Sequence, residues 1–132
     1  MEPLLRRVGA EELILVSSGG SDWLPGSGTA TRVDGGYRVT ARKIFSSGCP
    51  SGDLLITSAV YDDPEAGPTV LHFPVPLRDH GVKILDTWHT MGMRATGSHD
   101  VVLEAVAVAH PSKVVAKAAR KATFRLASAR RT

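Results

Sequence analysis

The chain has 132 residues, of which 42% are apolar and 22% are charged, a composition typical of one modest globular domain with a single core. Its one cysteine, Cys49, has no intrachain partner, so nothing indicates an oxidising compartment or a cysteine-ligated metal site. No apolar run approaches the roughly 18 residues of a membrane span, and the N-terminus lacks the order of a signal peptide. We therefore expect a cytoplasmic protein that is not exported.

The formal net charge of +3 is distributed unevenly. Residues 1–109 contain all 13 acids and 9 of the 16 bases, a net charge of −4, whereas residues 110–132 contain 7 bases and no acid. A surface for nucleic acid would have its bases spread over the folded domain. The basic character belongs to a terminal segment, so nucleic-acid binding by the body of the chain is not favoured.

Strand patterns separated by turn sequences dominate the first 109 residues. The predicted strands are 13–17, 28–33, 37–45, 53–61, 68–76, 82–86 and 99–109. The turn sequence Asp34-Gly35-Gly36 predicts a hairpin between two of them. Because the spacers leave no room for crossover helices, we expect an all-β, mainly antiparallel fold, either a small barrel or two packed orthogonal sheets.

The strand at 37–45 breaks its own alternation. Tyr37, Val39 and Ala41 set one face, and Ile44 falls outside it, which predicts a β-bulge near Ala41 and Arg42. The last strand is predicted to alternate without interruption. Its two faces would be Val102, Glu104, Val106, Val108 and Val101, Leu103, Ala105, Ala107.

The pattern divides the chain into a lead-in at 1–12, a β-domain at 13–109 and a basic, alanine-rich tail at 110–132. Ser112 is a candidate cap for a helix in the tail. The core face of that helix would be Val114, Ala118, Ala122 and Leu126. Since alanine buries little apolar area, the tail is predicted to be weakly helical or disordered.

Two familiar catalytic patterns do not apply. Ser98, His99 and Asp100 stand in the order of a hydrolase triad, but consecutive residues of a strand point to alternate faces and cannot form a relay. The five histidines are scattered at wide intervals, so no metal site is expected.

Two stretches combine small residues with hydrogen-bond donors. In "SSGGSDWLPGSG", residues 17–28, backbone amides and serines could hold a phosphate or carbonyl oxygen, although a solvated loop explains the same composition. The sequence Phe45-Ser46-Ser47-Gly48 offers an aromatic surface followed by donors, as a planar heteroaromatic ligand requires. A strand end followed by a turn fits it equally well.

Taken in order, these segments resemble one family. The chain resembles the flavin-binding middle β-domain of the acyl-CoA dehydrogenase family over residues 13–108, through "GGSD", "VDGGYRVTARKIFSSG", "DLLITSAVYD" and "TWHTMGMRATGSHDVVLEAVAV". The last segment is most similar to the branch that contains acyl-CoA dehydrogenase-like flavin monooxygenases as well as dehydrogenases.

The resemblance implies a site for FAD. Phe45 would lie against the isoalloxazine ring, and Ser46 and Ser47 would donate near N5 and the pyrimidine edge, where hydrogen bonds tune the electron demand of the cofactor. The resemblance also implies that the flavin and acyl-thioester side is lined by Ser17 or Ser18 with Gly20 and Ser21. It further implies that Arg94 and Thr96 lie near the substrate and the subunit contacts.

Two departures from the family bear on chemistry. Dehydrogenases usually have a "TEPGAGSD"-like loop where this chain has "SSGGSD", which leaves the substrate open. Ala41 stands where glycine is usual, at the predicted bulge, and would cost about 1 kcal/mol if the position required a positive φ.

The resemblance also implies helical domains on both sides of the β-domain, the C-terminal one carrying the base carboxylate, and homo-oligomeric assembly. Neither helical domain is recognisable in this sequence, and the basic tail is unlike the family. We therefore expect a truncated middle domain of an FAD-dependent oxidoreductase that acts on the CH–CH group of an acyl-CoA or similar thioester, inactive alone.

Two alternatives remain open. The first is a fragment of a two-component flavin monooxygenase, which receives reduced flavin from a separate reductase. The second belongs to another class, a non-catalytic remnant whose basic tail binds nucleic acid or another anionic surface.

Overall fold

A computed structural model describes residues 2–18, 22 and 26–115. Within these residues, one helix, α1 (Glu2–Glu11), is followed by eight strands. The strands are β1 (Leu15–Ser17), β2 (Thr29–Val33), β3 (Gly36–Lys43), β4 (Leu54–Asp63), β5 (Gly67–Pro76), β6 (Val82–Ile84), β7 (Val101–Val108) and β8 (Ser112–Val115). All seven predicted strands are present, so the all-β prediction is confirmed.

The strands form a sheet in the order β6-β7-β3-β2-β4-β5-β8, and β1 lies beside β4. The predicted hairpin joins β2 to β3, where Val33 pairs with Gly36. Most pairings are antiparallel, as predicted, but β1 and β2 both run parallel to β4. The edge strands β6 and β8 do not pair with each other in the described part of the chain, so the sheet is not closed into a barrel.

The parallel pairings place the segment between β1 and β2. β1 pairs with the beginning of β4, at Leu54 to Ile56, and β2 pairs near its end, at Val60. Because β5 occupies the other edge of β4 along its full length, β1 and β2 lie on the same edge. The glycine-rich segment 17–28 therefore connects two strands that lie along the same edge of β4.

The predicted bulge exists, but its extra residue belongs to β7. Val39 pairs with Val106 and Ala41 pairs with Leu103, so β7 has one residue more than β3 in this interval. Ala105 has a φ of +51°, the left-handed region that bulges use. Ala41 is not among the positive-φ residues, so the cost considered for its side chain does not arise.

The bulge also corrects the predicted faces of β7. Val101 and Leu103 are buried, and after the extra residue Val106 and Val108 are buried on the same side. These residues complete a core with side chains from β3, β4 and β5. Its fully enclosed members include Val39, Leu55, Leu71, Phe73, Val75 and Leu103. Each contributes roughly 1.5–3 kcal/mol through burial.

The two ends of the described chain differ from the prediction. Residues 2–11 form α1, stabilised by ion pairs of Arg6 with Glu2 and of Arg7 with Glu11, although none of its residues is buried. No helix within the described ranges is long and apolar enough to span a membrane.

The predicted helix that begins at Ser112 is wrong for its first four residues. Ser112–Val115 form β8, because the edge of β5 offers backbone partners and the two valines favour a strand. The remainder of the predicted tail, residues 116–132, lies outside the described residues, and its binding to anionic surfaces stays a prediction.

Candidate functional site

An aromatic pair marks the end of β3. Phe45, two residues beyond the strand, has a φ of +56°, which is uncommon for a bulky side chain, and is 59% exposed. Its ring meets the ring of Trp88 edge to face, with centroids 5.9 Å apart and planes at 75°. The Trp88 indole donates to the Met93 carbonyl at 3.1 Å. We call Phe45 and Trp88 the aromatic wall.

A row of hydroxyl groups lies next to the aromatic wall. The hydroxyl of the exposed Ser47 is 2.8 Å from the Ser98 hydroxyl, which is 2.8 Å from that of Thr96. The Gly48 amide donates to the Thr96 carbonyl at 2.7 Å, which ties the two segments together. The structure thus brings together Ser47 and Thr96, two residues that the resemblance assigned to the cofactor and substrate sides.

Ser46 differs from its neighbours because it is fully buried. Its amide donates to the His99 carbonyl at 3.0 Å, but its hydroxyl has no hydrogen-bond partner among the described residues. A buried hydroxyl without a partner costs roughly 1–3 kcal/mol. The group is therefore an unsatisfied polar atom in the core, on the residue between the exposed Phe45 and Ser47.

A buried ion pair lies below the same strand end. Lys43 is fully buried, and its Nζ donates to Asp22 Oδ2 at 2.7 Å and to the Ser27 carbonyl at 2.7 Å. Burial lowers the pKa of Lys43, and the hydrogen bond and charge of Asp22 act in the opposite direction. The ion pair holds Asp22, a residue of the glycine-rich segment, against Lys43, the last residue of β3.

The serines of the glycine-rich segment occupy different environments. Ser17 ends β1 and is exposed. Ser18 is buried, and its hydroxyl contacts Asp22 Oδ2 at 3.0 Å and the Thr57 hydroxyl at 2.8 Å. Ser18 thus belongs to the Lys43 network. Gly20 and Ser21, the other two predicted members, lie outside the described residues.

Arg94 is exposed and donates through Nε to the Thr90 carbonyl at 3.0 Å. This hydrogen bond holds the segment that leads into the short 3-10 turn Arg94–Thr96. Arg94 thus lies on the same segment as the Met93 carbonyl that receives the Trp88 indole.

The three residues in hydrolase order form no relay. The Asp100 carboxylate accepts from the Arg42 guanidinium at 2.7 and 2.9 Å, and Ser98 belongs to the hydroxyl row. His99 Nδ1 instead accepts the backbone amides of Thr87 and Trp88, each at 3.2 Å. The described residues also contain no group of three or more His, Cys, Asp or Glu side chains that could hold a metal ion.

A cavity of about 530 Å³ lies at the other end of β3, by the β2–β3 hairpin. Arg32 and Lys113 stand 5.7 and 5.5 Å from the centre of the Tyr37 ring there. None of the residues predicted to bind the cofactor lines it. This cavity is therefore distinct from the predicted site at the Phe45 end of β3.

Some residues near the candidate site were predicted from the sequence, and others were not. Phe45 was identified, but Trp88 and His99 were not, because their contacts depend on a loop that closes back on β3. A signal for Lys43 was present, since it continues the alternation of Tyr37, Val39 and Ala41 on the buried face.

Comparison with known proteins identifies a family. The family model for the acyl-CoA dehydrogenase middle domain matches residues 17–106. A pigment production hydroxylase from a Rhodococcus species is 40% identical over 81 residues, which are 61% of this chain and 20% of that protein. The putative acyl-CoA dehydrogenase YdbM of Bacillus subtilis is 38% identical over 78 residues, 58% of this chain and 19% of that protein.

A solved structure gives a similar result. XiaF from a Streptomyces species, in complex with FADH2 and glycerol, matches with a TM-score of 0.62 and 36% identity, over 80% of this chain and 25% of that chain. The chain spans about a fifth of the length of the curated relatives described above.

Proposed function

The chain belongs to the acyl-CoA dehydrogenase middle-domain family, and from that membership we propose that it supplies part of a flavin site at the Phe45 end of β3. The observation that carries the proposal is the aromatic wall, of which Phe45 is exposed and Trp88 half-buried, with the exposed Ser47 two residues after Phe45. The flavin would supply the redox chemistry, and the protein would supply orientation and hydrogen bonds.

The residues present fit such a ligand. A planar heteroaromatic ring needs an apolar surface and polar groups beyond its edge. Phe45 is exposed and held in an uncommon backbone conformation, and the exposed Ser47 follows two residues later in the chain.

In this arrangement each part of the chain has a defined task. The aromatic wall would bind one face of the ring and exclude water from it. The hydroxyl row of Ser47, Ser98 and Thr96 would orient the polar edge. The ion pair of Lys43 and Asp22 would keep the glycine-rich segment beside the strand end. The chain by itself would hold the ring without completing the site.

Titration of FAD with the 132-residue chain, followed by flavin fluorescence, tests this function. Substituting Phe45→Ala removes the exposed ring, so we expect Kd to rise about tenfold, equivalent to about 1.4 kcal/mol. The control is Val33→Ala, which shortens another exposed apolar side chain, at the opposite end of the sheet. Equal Kd values for the two variants, or no binding by the parent chain, would contradict the proposal.

The relatives favour monooxygenation as the chemistry of the whole protein, with dehydrogenation of an acyl thioester as the second candidate. The hydroxylase relative and the FADH2 complex of XiaF support the first, and YdbM supports the second. The absence of a "TEP" sequence before Asp22 is a further difference from dehydrogenases.

A monooxygenase that receives reduced flavin must bind it in preference to the oxidised form. We expect the chain to bind anaerobically reduced FAD at least about tenfold more tightly than oxidised FAD, a difference of about 1.4 kcal/mol. Tryptophan quenching measures the two Kd values on one scale. A preference for oxidised FAD would instead support the dehydrogenase.

A further inference from the structure

One ring nitrogen accepts hydrogen bonds from two backbone amides of the segment that carries Trp88. His99 Nδ1 lies 3.2 Å from the amide nitrogens of both Thr87 and Trp88. Backbone amides can only donate, so Nδ1 must accept, and it can do so only while it carries no proton. The neutral imidazole with its proton on Nε2 is therefore the form that fits this loop.

We propose that His99 is the positioning residue of the aromatic wall, and that protonation of His99 at Nδ1 releases Trp88 from its place against Phe45. This inference rests on the proposed function only in giving the aromatic wall a flavin to contact. The arrangement of His99, Trp88 and Phe45 is a property of the chain alone.

The groups around His99 provide a place for the added proton. Asp86 Oδ1 lies 3.7 Å from Nδ1, close enough to become its partner once the ring is charged. His89 Nε2 lies 3.5 Å from the same carboxylate oxygen and competes for it. Asp100, the next residue along the chain, is already paired with Arg42 from β3. The Cys49 thiol approaches the carbonyl of His99 and not its ring.

Protonation exchanges two amide hydrogen bonds for one ion pair. Protonation removes the Nδ1 acceptor from both amides, but the Thr87 amide also donates to the Leu85 carbonyl at 3.0 Å. The Trp88 amide is therefore the one more strongly affected. The contacts of the Thr87 hydroxyl with the Asp100 amide and of the Trp88 indole with Met93 do not involve His99, so the loop stays attached at those points. The expected change is a local shift of Trp88 and not unfolding.

The test is a pH titration of the flavin-free chain, labelled with 15N, between about pH 8 and pH 5, the range in which imidazoles titrate. We expect the Thr87 and Trp88 amide signals to move with the same midpoint as the His99 ring protons. The nuclear Overhauser contacts between the rings of Trp88 and Phe45 should fade over the same range.

The substitution His99→Gln separates positioning from general destabilisation. The Gln carbonyl oxygen can accept the same amides but does not titrate, so the pH-dependent shift should disappear while the ring contacts persist at both pH values. The matched control is His89→Gln, which removes the neighbouring imidazole and should leave the shift in place.

The inference is overturned if the two amides do not respond while the His99 ring titrates, or if His99→Gln retains the shift. The titration of the parent chain decides the matter even if the variant does not fold. Because no flavin is added, failure of the proposed function would show in the FAD titrations and not here.

Discussion

The substitution Asp22→Ala is expected to lower the free energy of unfolding by about 3–5 kcal/mol, because it leaves a buried ammonium group without its counter-ion. Lys43 has no exposed side-chain surface, and the Asp22 side chain is only 13% exposed. The Ser27 and Ser58 carbonyls would remain as acceptors but carry no full charge. Removing the carboxylate therefore removes the only acidic group paired with Lys43 in the described structure.

The stability lost in Asp22→Ala is expected to depend on pH. Burial already lowers the pKa of Lys43, and the loss of Asp22 lowers it further. The unfolded chain then binds more protons than the folded chain over the interval below the ordinary lysine value of about 10.4, so stability rises with pH there. The difference in free energy of unfolding between Asp22→Ala and the parent chain should therefore become smaller as the pH is raised from neutrality toward that value.

Urea unfolding followed by circular dichroism measures these differences. The matched control is Glu104→Ala, which breaks the exposed ion pair with Lys83 and should change stability by no more than about 1 kcal/mol. The double substitution Asp22→Ala with Lys43→Met should recover part of the loss, since no charge is left buried. Equal effects of Asp22→Ala and Glu104→Ala would show that the buried pair is not important for stability.

The substitution Gly28→Ala is expected to have the second largest effect, a loss of about 2–4 kcal/mol. Gly28 has a φ of +85°, which costs a residue with a side chain about 1 kcal/mol or more. An added Cβ would also lie 2.7 Å from the Thr40 carbonyl oxygen and against the side chain of Ala41. Such overpacking adds roughly 1–3 kcal/mol.

The control for this prediction is Gly67→Ala. Gly67 has a φ of +75°, but nothing lies within 4 Å of the position of an added Cβ. The Gly67→Ala variant therefore measures the backbone cost alone. The difference in stability between the two variants measures the cost of the clash between an added Cβ at Gly28 and β3. Thermal unfolding midpoints that fall equally in both variants would show that no such contact exists.

The strands were predictable because alternation on a half-buried sheet is a local property. The bulge illustrates the limit of that argument. A bulge was predicted near Ala41 and Arg42 from the pattern of β3 alone. A surplus of one residue disturbs the pattern of both paired strands, and only the pairing with β7 assigns it to Ala105. β8 was missed because its four residues are specified by the edge of β5 and not by their own periodicity.

Sequence patterns could indicate the residues of the candidate site that directly follow β3, but not those that a distant loop brings to it. Phe45 and Ser47 stand at a strand end that the sequence itself marks. Trp88 and His99 reach that end from a loop, and their contacts depend on how the chain closes. No prediction was made for Lys43, although it continues the buried alternation of β3 and, once buried, needs a partner, which Asp22 provides.

The most direct test of the flavin site is to map FAD binding on the 15N-labelled chain. The account predicts that amide signals of residues 45–48, 87–88 and 96–98 shift on addition of FAD, while those around Tyr37 and Lys113, at the other end of β3, do not. Shifts concentrated at the hairpin cavity, or no shifts at any FAD concentration, would contradict a flavin site built on Phe45.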